Sequence, residues 1–491
     1  MTIPISGAAT CWSHDTIINQ LYDLMKKLLI LINAMLLLGL QTEAHIILPD
    51  LFSDHMVLQQ NCTVTVWGWA KPFEEVRLTC SWDPEKEHRV QVKSMGTWSL
   101  EVQTPSAGGP YSMTVRGTNT IEIPDVMIGE VWLGSGQSNM EWTPAGGIEH
   151  GEEEIRDAVC PEIRFFNVHA ITADFPQQLV KGEWVKCTPE TMKNFSAVLY
   201  FFGRELHREL KVPVGLISSA WGGTPIEIWM NAERVAGDRL LEQNAALLEP
   251  VPWGPVVPGS AYNAMIHPLI PFRIKGAIWY QGEANVGIPG YYAHALKNLV
   301  ESWRASWGVD LSFYYVQIAP WSGYGTDNVN GAILRDQQRK ALDITENTGM
   351  VVVSDIGDLK DIHPKNKIDV GKRLSLWALH NDYGRADLPF SGPLYRSCEL
   401  SRGKILLRFD HADGLMAVDG DLKEFQVLDP SGQWVDAKAT IIEHMVEVDP
   451  GVEKPAGIRY AYRNDSDPNL FNSAGLPASC FEVIFNSTIL Q

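Results

Sequence analysis

The chain has 491 residues, too many for one core, and about two to four domains are expected. Hydrophobic residues at 45% and charged residues at 20% describe an ordinary soluble globular composition. A net charge of -19 excludes nucleic acid as a partner, because affinity for a phosphate backbone is dominated by Lys and Arg.

Met25-Lys26-Lys27 opens an apolar run from Leu28 to Leu40 that is interrupted by Asn33 and Gly39, and Thr42-Glu43-Ala44 supplies small residues where a signal peptidase reads. This predicts a signal peptide over residues 25–44 and an exported protein, periplasmic or extracellular, with no stable membrane association after cleavage. Residues 1–24 are then a leader upstream of the native start. A membrane anchor is the rival reading of the same run. Six cysteines remain after the leader is removed (Cys62, Cys80, Cys160, Cys187, Cys398 and Cys480), widely scattered and without zinc-type spacing. No metal site is expected.

Residues 45–124 read as an N-terminal β domain. Short alternating runs such as Thr63–Trp69 and Tyr111–Val115 are separated by Pro, Gly and Asp turns, the pattern of a sandwich. Over 125–388 buried strand runs alternate with helices, which predicts an α/β domain built on a mainly parallel sheet. The strand candidates are Glu130–Leu133, Val214–Ser218, Lys275–Tyr280, Ser312–Ile318 and Met350–Val353. Val198, Phe202, Leu206 and Leu210 form one helical stripe, and Tyr292, Leu296, Leu299 and Trp303 another. Residues 389–491 return to alternating runs, such as Lys404–Phe409 and Met445–Val448, and read as a C-terminal β domain.

Reacting groups of an open α/β sheet gather beyond the carboxyl ends of its strands. After the first strand, Gly134-Ser135-Gly136-Gln137-Ser138-Asn139 presents Ser138 at a glycine-rich turn, a position suited to a nucleophile. After the second comes Trp221-Gly222-Gly223-Thr224, whose glycines let backbone N–H groups approach a ligand. After the third comes Gln281-Gly282-Glu283-Ala284-Asn285, with an amide donor and a carboxylate on one loop. After the fifth, Asp361-Ile362-His363-Pro364 offers a histidine two residues past an aspartate, suited to a general base. Each taken alone is also ordinary loop chemistry.

In this order the four motifs resemble those of SGNH-type carbohydrate acetylesterases, and most of all the sialate O-acetylesterase family. Ile226-Glu227-Ile228-Trp229 and Tyr262–Pro268 add to the likeness. The resemblance implies an SGNH-hydrolase-like parallel sheet with helices on both faces, flanked by β-sandwich-like segments. It implies Ser138 as nucleophile, His363 as base, and the Ser138 and Gly223 amides with the Gln281 side chain as oxyanion donors. Gln137, Trp221 and Asn285 are expected to meet the substrate. The chain departs from the usual pattern where an acid should stand three residues before the histidine, since Lys360 is there. Asp361 is favoured as the triad acid because its loop can turn the carboxylate to the imidazole, and Glu283 is the competitor.

The expected activity is removal of O-acetyl groups from carbohydrates through an acetyl-enzyme, without metal or organic cofactor. The leading substrate is 9-O-acetylated sialic acid, with acetylxylan or another plant polysaccharide as the alternative. A non-catalytic carbohydrate-binding protein is the reading from another class. Trp142, Trp221, Trp229 and Trp279 are candidates for stacking on sugar rings. Arg335 is the one arginine considered for a sialate carboxylate, with a surface pairing to an aspartate as the simpler expectation.

Overall fold

The computed structural model describes residues 21–29 and 45–485. Most of the signal-peptide and leader readings, residues 1–20 and 30–44, lie outside the described residues. No helix among those described is long and apolar enough to cross a membrane.

The N-terminal strands are β1 (Val57–Gln59), β2 (Thr63–Trp69), β3 (Glu75–Cys80), β4 (Asp83–Gln91), β5 (Thr97–Gln103) and β6 (Gly108–Arg116). β2 pairs with β5, and β3 with β4 and β6, all antiparallel. β6 then pairs with the first half of β7 (Thr120–Gly136), a strand of 17 residues. The start of β7 keeps solvent-facing positions at Thr120, Glu122 and Pro124, but every residue from Val126 to Gly136 is buried. That change marks its passage from a half-exposed antiparallel pair into a sheet covered on both faces.

The central sheet adds β8 (Cys160–Asn167), β9 (Trp184–Cys187), β10 (Val214–Ala220), β11 (Gly276–Tyr280), β12 (Ser312–Val316) and β13 (Thr348–Val351). Its order is β13-β12-β11-β7-β10-β8-β9. Every pair is parallel except β8 with β9. Four longer helices follow the short α1 (Ser138–Glu141): α2 (Ala197–Leu210), α3 (Tyr292–Trp307), α4 (Asn330–Ile344) and α5 (Lys367–Asp382). α2 starts where the Ser196 hydroxyl accepts from Leu199 N–H and stops at Lys211, which takes a left-handed conformation. It packs on α5, while α3 packs on α4. The two predicted stripes are buried on α2 and α3 except for Leu210, which is half-buried. Each large apolar side chain so buried contributes about 1.5–3 kcal/mol.

β8 is a parallel strand of the sheet that the sequence pattern does not announce. Arg164 interrupts its apolar run, yet Arg164 is buried and meets Asp125 through both terminal nitrogens. An inward-facing ion pair thus hides the strand's periodicity.

One apolar core runs from Ile46 to Leu379, joining the N-terminal strands to the α/β sheet. A second, from Ile405 to Phe481, lies between two four-stranded antiparallel sheets of the C-terminal segment. Arg335 is not on the surface. It is buried on α4, and its Nη2 donates to the carbonyls of Arg463 at 2.5 Å and Ala461 at 3.3 Å, so it fastens the C-terminal segment instead of pairing with an aspartate.

Candidate active site

The register of the sheet brings three loops to one point. Gly136, the last residue of β7, is level with Ala220 of β10 and with Tyr280 of β11. Gln137-Ser138, Trp221–Gly223 and Gln281–Glu283 therefore emerge side by side. Gly136 has φ +139, and a Cβ there would stand 2.2 Å from the Tyr280 carbonyl oxygen, so only glycine permits the turn that lifts Ser138 out of the sheet. Gln137 locks that turn: its N–H donates to Tyr280 O at 3.0 Å, and its Oε1 accepts from Gly282 and Ala284 N–H.

His363 arrives on the long loop after β13. Its Nε2 lies 2.9 Å from Ser138 Oγ, the geometry in which a neutral imidazole accepts the hydroxyl proton. The Trp142 indole stacks on the imidazole, with ring centroids 4.4 Å apart and planes 19° from parallel. Asp361 Oδ1 accepts the His363 backbone N–H at 2.9 Å and stands 3.8 Å from Nδ1. Burial and the Lys367 cation hold the His363 pKa below its ordinary value, and Asp361 opposes them.

Beneath these groups Asn139 ties the site together. Its Nδ2 donates to Glu283 Oε1 at 2.6 Å and to Ile362 O at 3.0 Å, and its Oδ1 accepts from Lys367 Nζ at 2.6 Å. Lys367 is buried at the start of α5, and burial pushes its amine down to about 7 against the pull of Glu283 and Asp361. Burial raises the Glu283 carboxyl, opposed by its Asn139 hydrogen bond and the Lys367 charge. Glu283 Oε2 is buried with no partner among the described residues.

Ser138 and His363 thus come together with the Asp361 carboxylate 3.8 Å from Nδ1, while Glu283 touches Asn139, and among the described residues neither carboxylate hydrogen-bonds the imidazole. Two expectations are corrected. The Gln281 amide faces away from a prospective oxyanion: its Nε2 donates to Thr224 O and Asn285 Oδ1, and its Oε1 accepts from the Tyr292 hydroxyl. Asn285 is fully buried and bonds Glu227 and Tyr291, so no sugar reaches it. Both serve a buried polar network under the loops, because a side chain sealed from water must find its partners inside the protein. Trp229 and Trp279 are fully buried and Trp142 covers the imidazole, which leaves Trp221 of the four tryptophans facing the cavity beside Ser138.

Sequence reasoning missed three residues at the site. Glu141 ends α1 and its Oε2 accepts Gly222 N–H at 2.7 Å. Trp253 lies over Gly223, which has φ +70. Lys367 is the third. The four-residue spacing from His363 to Lys367 was visible, but nothing in one sequence says that a lysine is buried. Among the described residues, the Ser138 and Gly223 N–H groups donate to no protein acceptor.

Comparison with known proteins finds similarity to carbohydrate esterases. The carbohydrate esterase family of sialic acid-specific acetylesterases matches residues 128–378. Human sialate O-acetylesterase is 31% identical over 415 residues, covering 76% of this chain and 78% of the human protein. The mouse sialate O-acetylesterase is 30% identical over 437 residues, covering 76% and 80%. Among solved structures, a carbohydrate acetylesterase from Xanthomonas citri superposes with a TM-score of 0.82 at 35% identity, covering 89% of this chain and 99% of that one.

Proposed function

The chain belongs to the sialate O-acetylesterase family of carbohydrate esterases, and from that premise we propose that it is a serine esterase in which Ser138 and His363 carry the reaction. It is a carboxylic ester hydrolase acting on O-acetylated carbohydrate. The observation that carries the serine mechanism is the 2.9 Å contact between Ser138 Oγ and His363 Nε2 at the end of the central strand.

Ser138 Oγ attacks the acetyl carbonyl carbon while His363 Nε2 takes its proton. The developing oxyanion is held by the Ser138 and Gly223 N–H groups, which donate to no protein acceptor among the described residues. His363 then protonates the departing sugar oxygen, which leaves acetyl-Ser138. A water molecule gives its proton to His363 and attacks the acetyl carbon; the bond to Ser138 Oγ then breaks, Oγ takes the proton back from His363, and acetate leaves. Asp361, at 3.8 Å from Nδ1, stabilises the imidazolium formed in each step. Protein groups suffice, so the proposal includes no metal or organic cofactor. Export through a signal peptide over 25–44 belongs to the same proposal, and N-terminal sequencing of the mature protein near His45 checks it.

Ser138→Ala is expected to lower kcat on an aryl acetate by at least ~10³-fold with an unchanged melting temperature. Substantial residual acetate release by the purified variant would require another nucleophile. The substrate is either an O-acetylated sialic acid, as the relatives' names suggest, or an ester of a neutral sugar. The lining of the cavity favours the second.

A further inference from the structure

A cavity of about 560 Å³ opens beside Ser138. Its lining includes Glu141, Trp221, Trp253 and Glu283, and neither a lysine nor an arginine is among the residues that form it. Glu141 therefore stands beside the nucleophile with no cation in the cavity to offset it, while Glu283 is held behind by Asn139 and faces Lys367. Glu141 is fixed, since its Oε2 accepts Gly222 N–H. Its Oε1 accepts no hydrogen bond from the protein among the described residues, so this oxygen is free to take a ligand hydroxyl.

The second feature is Trp253. It is 64% exposed, and a Cβ on Gly223 would lie 2.3 Å from its Cδ1, so the indole rests against the bare backbone of Gly223 at the mouth of the cavity. Water is a poor neighbour for an exposed indole face, and a flat apolar platform next to a hydrogen-bond acceptor suits a pyranose ring, which shows C–H groups on one side and hydroxyls at its edge.

Resting on the serine-esterase reading above, we propose that the acyl group is delivered on a neutral sugar, with its ring on Trp253 and a hydroxyl donating to Glu141, and that sialates are disfavoured. A sialic acid carries a carboxylate that needs a cation or several donors once it leaves bulk water. Here it would meet Glu141 instead, and the net charge of -19 opposes its approach from a distance.

The test compares kcat/KM of the wild-type enzyme on four esters: 4-nitrophenyl acetate, acetylated xylo- and gluco-oligosaccharides, 9-O-acetyl-N-acetylneuraminic acid, and the carboxyl methyl ester of that sialic acid. The neutral oligosaccharides are expected to exceed the free sialate, and methylating the sialate carboxyl to raise kcat/KM about tenfold. Glu141→Gln keeps an acceptor for Gly222 and is expected to bring the sialate and its methyl ester to within about threefold. Trp253→Ala is expected to raise KM for the oligosaccharides about tenfold. A free sialate that matches or exceeds its methyl ester overturns the proposal, as does a charge preference that Glu141→Gln leaves intact. Failure of the underlying reading looks different: the wild-type enzyme would then not turn over 4-nitrophenyl acetate, or Ser138→Ala would.

Discussion

Asn139 makes three hydrogen bonds to three different segments of the site. It joins the residue after the nucleophile to the residue before the base, and it separates a buried amine from a buried carboxyl. Asn139→Ala would leave Lys367 Nζ and Glu283 Oε1 without these partners and free Ile362 O, so the His363 loop loses its register against Ser138. Reacting atoms displaced by about 1 Å cost roughly 10²-fold, and a fall of that size in kcat with little change in KM is expected on an aryl acetate. The same assay separates the two acids. Asp361→Asn, which removes the carboxylate nearest Nδ1, is expected to lower kcat by about 10²–10⁴. Glu283→Gln is expected to cost less, since an amide oxygen still accepts from Asn139. If Glu283→Gln shows the larger loss and Asp361→Asn stays near wild type, Glu283 is the triad acid.

At the scale of elements, the strands and helices that bear the motifs were legible because each obeys a simple period. β10, β11, β12 and β13 fall within a few residues of the expected runs, and α2 and α3 carry the expected stripes. Ser138, His363 and Asp361 were legible as a group because a parallel sheet gathers its loops at one edge. What stayed hidden depends on burial, which one sequence does not display. Gln281 and Asn285 look like free loop polars until Tyr291, Tyr292 and Glu227 close over them, and β8 conceals a charge pair. The placement of α5 has a kinetic consequence of the same kind. Its first residue, Lys367, helps to hold the His363 pKa below 6.5, while Asp361 pulls the other way. The base acts as neutral imidazole, so kcat/KM falls as acid protonates it, and the midpoint of that limb is expected below 6.5. Lys367→Met removes the cation and should move the limb upward, whereas Asp361→Asn removes the anion and should move it further down. A pH–rate profile between about pH 4 and 9 reads both shifts, and movement in the opposite sense would exclude this electrostatic account.

At the scale of the whole molecule, the segments outside the α/β sheet are built into it. β7 belongs at its start to the antiparallel N-terminal strands and at its end to the catalytic sheet, so the turn that presents Ser138 is anchored through the same 17-residue strand that closes the N-terminal unit. The C-terminal segment is fastened differently, by polar groups across a seam between two cores. Besides Arg335, Gln317 Nε2 donates to Ser479 Oγ at 2.8 Å, and Trp321 N–H donates to Asn464 O at 2.7 Å. A chain ended at residue 388 would uncover Arg335 and Gln317 without their partners and is expected to aggregate instead of yielding a free catalytic unit. Arg335→Met tests the seam within the full chain. Methionine fills similar space but leaves the Ala461 and Arg463 carbonyls without this donor, at a cost of about 1–3 kcal/mol. Thermal unfolding should then begin a few degrees lower, while kcat/KM on an aryl acetate stays at the wild-type value because α4 places no side chain in the cavity beside Ser138. An unchanged melting temperature would show that the seam contributes nothing, and a selective loss of kcat/KM would show that the C-terminal segment acts on the site itself.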